Sequence, residues 1–213
     1  MRVVFMGTAE FACPSLAALD ESPGIEVVGV VTQPDRPKGR ELIPHPPAVK
    51  LEAELRNLPV HQPERLRNDI QYLEQIAPGL IIVAAYGQIL PQTILDLPPH
   101  GCLNVHGSLL PAYRGAAPIQ RAILDGQADT GVTIMQMDAG LDTGAMLSKA
   151  TTPIETSDNA QTLHDRLAKL GAQLLLKTIP GHVSGELTPE PQDDALATHA
   201  EKITREMGRI DWS

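Results

Sequence analysis

The chain has 213 residues, enough for one domain with a substantial buried core, or one domain plus an appendage. Its formal charge is −9, which argues on global charge against a nucleic-acid partner unless a local basic patch supplies one. Aromatic residues are scarce (two Phe, three Tyr, one Trp), so the core is expected to consist mainly of Leu, Ile, Val and Ala.

In chain order, "RVVFMG" (2–7) reads as a buried strand ended by Gly7. "CPSLAALDES" (13–22) has helical spacing with Pro14 in the first turn, where a missing N–H costs nothing. "IEVVGVVT" (25–32) is a second strand, and this β-α-β start favours a parallel sheet with helices on its faces. Proline and glycine make 33–47 a loop. A helix over 48–57, a short strand at 59–62 and an amphipathic helix at 64–76 follow. "GLIIVAAY" (79–86) is a continuous apolar run of strand length, as a strand buried on both faces requires. "PQTILDL" is a short helix, "GCLNVHG" a strand and 117–125 a short helix. "GVTIMQM" (131–137) is a strand, "DAGLDTG" (138–144) a loop, and "AMLSKATTPI" (145–154) a strand that can run antiparallel to its neighbours. Leu163, Leu167, Leu170, Leu174 and Leu175 mark a long helix over 159–179. After Pro180 the composition loosens to Gly, Pro, Thr and Asp, and the polar end closes on no element.

The two cysteines, Cys13 and Cys102, lack metal-ligand spacing and read as reduced thiols of a cytoplasmic protein. The N-terminus lacks the apolar core of a signal peptide, and no apolar run approaches the roughly 20 residues of a membrane span. No membrane contact is expected, and a monomer is the default.

The most informative stretch is "CLNVHGSLLPAYRGAAP" (102–118). Alternate residues of a strand share a face, so Asn104 and His106 point together while Leu103 and Val105 point away. Ligands of open α/β sheets bind outside the carboxyl ends of strands, and an amide beside an imidazole there can serve a developing oxyanion. The bland alternative is a hydrogen-bonded asparagine and a satisfied core histidine. Asp142, in the glycine-flanked "AGLDTG", adds a carboxylate if its loop closes on that strand, where it can orient His106 and help move protons; otherwise it is a turn aspartate. Other chemistries fit less well. The turn after the first strand reads "GTAEFA" and lacks the G-x-G-x-x-G dinucleotide fingerprint. Ser108 has no G-x-S-x-G elbow, and no His/Cys cluster has metal spacing, so no metal is expected. Arg36, Lys38, Arg40 and Lys50, against Asp35 and Glu41, form the one locally basic stretch and suit phosphate contact or a solvated loop equally.

"NVHGSLLPAYRGAAPIQ" with "GVTIMQMDAGLDTG", together with "FMGTAEFACPSL" and "EKITREMGRIDWS", resembles the folate-dependent formyltransferases along essentially the whole chain. The resemblance implies a Rossmann-like α/β domain, a mostly parallel central sheet flanked by helices, that moves a formyl group from 10-formyltetrahydrofolate to an amine. Its nearest likeness is to the members that formylate initiator methionyl-tRNA for translation initiation. On that likeness Asn104, His106 and Asp142 are catalytic, and Ser108, Leu109, Leu110 and Pro111 line the folate site. Gln88, Ile89 and Leu90 in "YGQIL", and the loop from Asp138, face the pterin. Arg36, Lys38 and Arg40 reach the tRNA acceptor stem. It also implies a catalytic domain over 1–189 and a linker over 190–213 leading to a C-terminal β-barrel domain. Two positions depart from the family pattern: Ala112 stands where a basic residue is usual before Tyr113, and Glu41 sits in the basic loop.

Rival readings within the same chemistry are sugar-nucleotide N-formyltransferases, a formyltetrahydrofolate hydrolase, and glycinamide ribonucleotide formyltransferase. The last binds phosphate with a Gly/Ser/Asn-rich turn where this chain has "MGTAEFA". A non-enzymatic rival is a folate- or RNA-binding fragment, inactive without a further domain.

Overall fold

A computed structural model describes residues 1–38, 43–210 and 212. β1 (Arg2–Gly7) leads through a 3-10 turn (Glu10–Ala12) into α1 (Cys13–Asp20) and β2 (Glu26–Val31). The short strands β3 (Arg36–Lys38) and β4 (Ile43–His45) precede α2 (Ala48–Leu55) and β5 (Val60–His61). A 3-10 turn (Leu66–Asn68), α3 (Ile70–Ile76), β6 (Leu80–Ala84), α4 (Gln92–Leu95) and β7 (Cys102–His106) follow. α5 (Pro118–Leu124), β8 (Asp129–Gln136), β9 (Met146–Pro153) and α6 (Ala160–Ser184) complete the main body.

Seven strands form one sheet in the order β5-β2-β1-β6-β7-β8-β9. The first five are mutually parallel, while β8 runs antiparallel to β7, and β9 antiparallel to β8. Side-chain alternation builds two cores. Val3, Phe5, Ile82, Leu103, Val105, Val132 and Ile134 face one side, where they meet Leu16 and Leu19 of α1 and Leu163, Leu167 and Leu175 of α6. Val4, Met6, Ile81, Val83 and Cys102 face the other and meet Leu73 of α3 and Ile94 of α4. Past Cys102, on which α4 packs, the described residues place no helix on that face of β7–β9. Asn104 and His106 lie on it.

Three expectations change in the structure. Residues 33–47 hold an antiparallel ribbon, with Arg36 opposite His45 and Pro37 opposite Pro44. A two-stranded ribbon has two open edges, where a proline's missing N–H is tolerated. The helix expected over 64–76 splits, because Asp69 leaves helical geometry (φ −134°) and its carboxylate bonds the His61 ring at 2.7 Å. The long helix passes Pro180 and stops at Ser184, capped by Gly185 at φ +78°. Just past the proline Leu187 packs over Gly181: its amide donates to the Gly181 carbonyl at 3.0 Å, and a Cβ on Gly181 would lie 2.9 Å from its side chain.

α6 packs tightly on the sheet at Gly171, where an added Cβ would lie 2.8 Å from Val105 Cγ1 and 3.3 Å from Val132 Cγ1. Gly171→Val should therefore destabilise the fold by overpacking, by about 1–3 kcal/mol. A urea unfolding midpoint equal to that of the wild type would refute this account of the helix–sheet contact.

Candidate functional site

β8 leaves the sheet beside the amino end of β7, where the Met137 amide bonds the Cys102 carbonyl at 2.8 Å. The loop that follows therefore cannot meet the carboxyl end of β7 by continuing outward. It folds back over the part of the sheet face that carries Asn104 and His106. Asp138 organises this return, its Oδ1 accepting from the Gly140 amide (3.0 Å) and the Thr143 hydroxyl (2.7 Å). Asp142 sits in the left-handed region (φ +54°), which aspartate tolerates better than most residues.

This return brings the three sequence-predicted polar groups together. Asn104 and His106 are buried, at 9 % and 6 % exposure. Asp142 Oδ2 accepts the Gly115 amide at 2.8 Å and lies 3.7 Å from His106 Nδ1, while its Oδ1 is 3.5 Å from Asn104 Nδ2. His106 Nε2 is 2.9 Å from the Tyr113 carbonyl. A carbonyl only accepts, so Nε2 carries a hydrogen and the ring edge facing Asp142 is Nδ1. The two contacts from Asp142 to Asn104 and His106 are long, so both groups can turn their donors to a reacting oxygen at small cost.

The remaining expected site residues divide. Ser108 is fully buried, its hydroxyl donating to the Ala112 carbonyl (2.6 Å) and its own carbonyl accepting from Thr133 (2.8 Å). Leu110 is 1 % exposed and packs with Met135 and Met146, and its peptide to Pro111 is cis. Their side chains support the loop from beneath and present no open surface; Leu109 and Pro111 are half-buried. The "YGQIL" turn follows β6, the neighbour of β7, with Val83 opposite Asn104. It is anchored at the Tyr86 carbonyl, which accepts from Thr8 (2.7 Å) and Gln33 (3.0 Å). The Gln88 side chain is engaged, accepting the Leu66 amide at 3.0 Å, and Leu90 is core; only Ile89, 85 % exposed, is free to meet a ligand through its side chain.

In the basic stretch, Lys50 is bound to both oxygens of Asp35, at 3.0 and 2.8 Å, so it anchors the ribbon instead of projecting from it. Hydrogen bonds from Gln62 and Lys50 hold the Asp35 carboxyl below the usual carboxylate range. Arg36 is exposed and faces Glu64 at 3.2 Å. Lys38 lies in β3, and Arg40 falls outside the described residues.

Sequence reasoning missed Arg114 and Gln192. Arg114 is 5 % exposed, and its guanidinium binds Gln192 (2.9 Å) and Asp194 (2.8 Å). The one signal was an arginine inside the small-residue run "AYRGAAP"; nothing local marked its partners some 80 residues away. Among the described residues, no group of three or more His, Cys, Asp or Glu is arranged to hold a metal ion, and no helix is long and apolar enough to cross a membrane. Both cysteines are free. Burial pushes the Cys13 thiol up to about 11 and the Cys102 thiol up to about 12, with Glu52 and Asp96 adding to the respective shifts.

The fold is that of a Rossmann-like α/β domain with its polar site over a sheet face. Residues 1–179 match the family model described as "Formyl transferase", and the chain belongs to that family. It is 54 % identical over 215 residues to the methionyl-tRNA formyltransferase of Citrifermentans bemidjiense, covering 100 % of this chain and 67 % of that protein. Against the methionyl-tRNA formyltransferase of Bacillus licheniformis it is 54 % identical over 214 residues, again 100 % of this chain and 67 % of that protein. The chain thus spans about two thirds of the length of these relatives. Among solved structures, glycinamide ribonucleotide transformylase 1 from Symbiobacterium toebii superposes with a TM-score of 0.75 at 18 % identity, covering 91 % of this chain and 94 % of that one. An N-formyltransferase from Helicobacter canadensis, in complex with folinic acid and dTDP-3-aminofucose, gives 0.70 at 18 % identity, covering 94 % and 70 %. At that identity these two structures define the shared fold.

The raised thiols have two consequences. Between the ordinary thiol value of 9.0 and the raised values, the folded chain keeps protons that the unfolded chain releases, so stability falls as pH rises through that window. At pH 8, iodoacetamide should modify both cysteines far more slowly in the native protein than in urea, with mass spectrometry as the readout. Rapid native labelling of Cys102 would contradict its burial.

Proposed function

We propose that this domain transfers the formyl group of 10-formyltetrahydrofolate to the α-amino group of methionyl-initiator tRNA. One observation carries the chemistry: Asn104, His106 and Asp142 converge on the open face of β7, within 3.5–3.7 Å of one another through Asp142. The acceptor follows from relatives of that name, which match the whole chain at 54 % identity. The folate donor follows from family membership.

The neutral α-amine attacks the formyl carbon, a new C–N bond forms, and the carbonyl oxygen becomes an oxyanion. Asn104 donates an amide hydrogen to that oxygen. His106, protonated on both ring nitrogens, donates from Nδ1, because Nε2 is committed to the Tyr113 carbonyl. Asp142 orients the ring and relays the proton lost by the amine, through water, to N10 of the folate as the C–N10 bond breaks. The products are formylated amine and tetrahydrofolate, with atoms and charge balanced. Leu109, Pro111 and Ile89 frame the folate, and the backbone groups of the Gln88–Leu90 turn and the loop from Asp138 serve its pterin ring. Arg36, on the ribbon, faces the acceptor stem, and Ala112 leaves one positive charge fewer there than the family pattern carries.

Loss of one oxyanion donor costs about 10²–10³ in rate. Asn104→Ala and Asp142→Ala should each lose formyl transfer on this scale while the affinity for a folate ligand changes little. Near-normal turnover in either variant would sink the assignment. Offering wild-type protein charged initiator tRNA, glycinamide ribonucleotide, a 4-amino sugar nucleotide or water alone distinguishes the acceptor, and formylation of any but the tRNA would overturn that part of the reading.

The Arg36–Glu64 pair is exposed on both sides, so it is worth at most about 1 kcal/mol. Glu64→Gln should strengthen tRNA binding by no more than about fivefold at low salt, with the gain fading at higher ionic strength. Arg36→Ala should weaken it. Filter binding at two salt concentrations measures both, and unchanged affinity in Arg36→Ala would remove the ribbon from the tRNA surface.

A further inference from the structure

The segment from Glu190 to Ala200 runs as a strap across both loops that hold the site. At its start, Glu190 and Met146 exchange backbone hydrogen bonds, each 2.8 Å. At its end, the Arg114 amide bonds the Thr198 carbonyl (2.9 Å), the Ala200 amide bonds the Arg114 carbonyl (2.7 Å), and the Ala117 amide bonds the Ala200 carbonyl (3.2 Å). Between these ends, Gln192 Nε2 donates to the main-chain carbonyls of Asp142 and Gly144, both at 2.8 Å. Its Oε1 accepts from Arg114 Nε at 2.9 Å.

We propose that Gln192, oriented by Arg114, is a positioning residue for formyl transfer; this rests on the reading of Asn104, His106 and Asp142 as the reacting groups. The chemistry of the position is restrictive. One end must accept from a guanidinium, and the other must donate to two carbonyls. A neutral amide does both. A carboxylate would set oxygen against oxygen, and an ammonium would face a buried cation. Burying the Arg114 charge is itself costly unless it is paired and hydrogen-bonded, and its side-chain partners, Gln192 and Asp194, both lie on the strap.

Several supports of the His–Asp pair lead back to this strap. Asp142, at φ +54°, is clamped on its own carbonyl by Gln192 and on its carboxylate by the Gly115 amide. Gly115, at φ +114°, lies against Ala200, whose carbonyl oxygen would be 2.8 Å from any Cβ placed there. Tyr113, whose carbonyl holds His106 Nε2, donates its amide to the Thr198 hydroxyl at 2.8 Å. A release at Gln192 therefore loosens the backbone that carries the carboxylate without touching substrate, and displacement of a reacting group by about 1 Å can cost on the order of 10²-fold in rate.

The test compares Gln192→Ala, Gln192→Glu and Arg114→Gln with the wild type and Asp142→Asn. Steady-state transfer from 10-formyltetrahydrofolate to methionyl-tRNA gives kcat and KM. ¹⁵N spectra of histidine-labelled protein, with His106 assigned through His106→Gln, report its ring nitrogens, and thermal unfolding checks folding. Expected is a fall in kcat of about 10- to 10²-fold, a folate KM within about twofold, and His106 ring resonances displaced in the same sense as in Asp142→Asn. Gln192→Glu should be at least as impaired as Gln192→Ala, although it keeps the contact with Arg114. Folded variants with unchanged kcat, or with His106 resonances superimposed on the wild type, overturn the proposal. Absence of transfer by the wild type to every amine would instead refute the reaction assigned to the site, and the His106 resonances would still decide whether the strap holds it.

Discussion

The structure depends on one carboxylate being held over a sheet face. Asp142 cannot reach Asn104 and His106 by chain proximity, since its loop leaves β8 at the far end of β7. It reaches them because the loop folds back and the Gly115 amide captures Oδ2 at 2.8 Å. The backbone then accepts a left-handed conformation at Asp142, and the surrounding loops are built to keep it there: Asp138 bends the chain on one side and Gln192 grips its carbonyls on the other. Without that capture the buried face of β7 would carry an amide and an imidazole with only long-range company.

Burial and openness divide the work on that face. Ser108, Leu110, Met135 and Met146 form a dry floor under the loop, and Ser108 and Thr133 satisfy the polar groups that the floor encloses. Preorganisation of this kind costs no rearrangement at the moment of reaction, which is where an oxyanion site gains its advantage. The proposed reacting groups differ from the floor in one respect. Their mutual contacts, 3.5 and 3.7 Å, are loose enough to be exchanged for a substrate oxygen. Electrostatics at the ribbon follow a similar division, with Lys50 used as an anchor on Asp35 and Arg36 left at the surface.

Much of the fold was legible in local pattern. The strand read at 2–7 and the continuous apolar run at 79–86 became β1 and β6, buried on both faces past Arg2, because parallel strands covered by helices need apolar residues on both sides. Leucines at helical spacing announced α6. The misreadings share a cause. Pro37 and Pro44 suggested loop, yet they sit in a two-stranded ribbon with open edges. Asp69 leaves the helix where its carboxylate meets His61, and α6 runs past Pro180 to a last turn on which Leu187 packs. In each case a contact made a few residues along the chain, outside the local pattern, accompanies the departure from local propensity.

By itself the sequence determined that Asn104 and His106 share a face, since a strand's pleat imposes a period of two whatever surrounds it. It also placed Asp142 in a glycine-flanked loop, "AGLDTG". Tertiary structure alone decided that these groups meet. Whether β8 runs with or against β7 leaves no mark on an apolar strand, and its antiparallel course is what sends the Asp142 loop back across the face. The strap was equally silent: residues 190–200 are polar, proline-marked and without periodicity, and they become ordered through backbone hydrogen bonds to Arg114 and Met146 that any sequence could make. Only the closed chain shows that Arg114 and Gln192, separated by 78 residues, share one hydrogen bond.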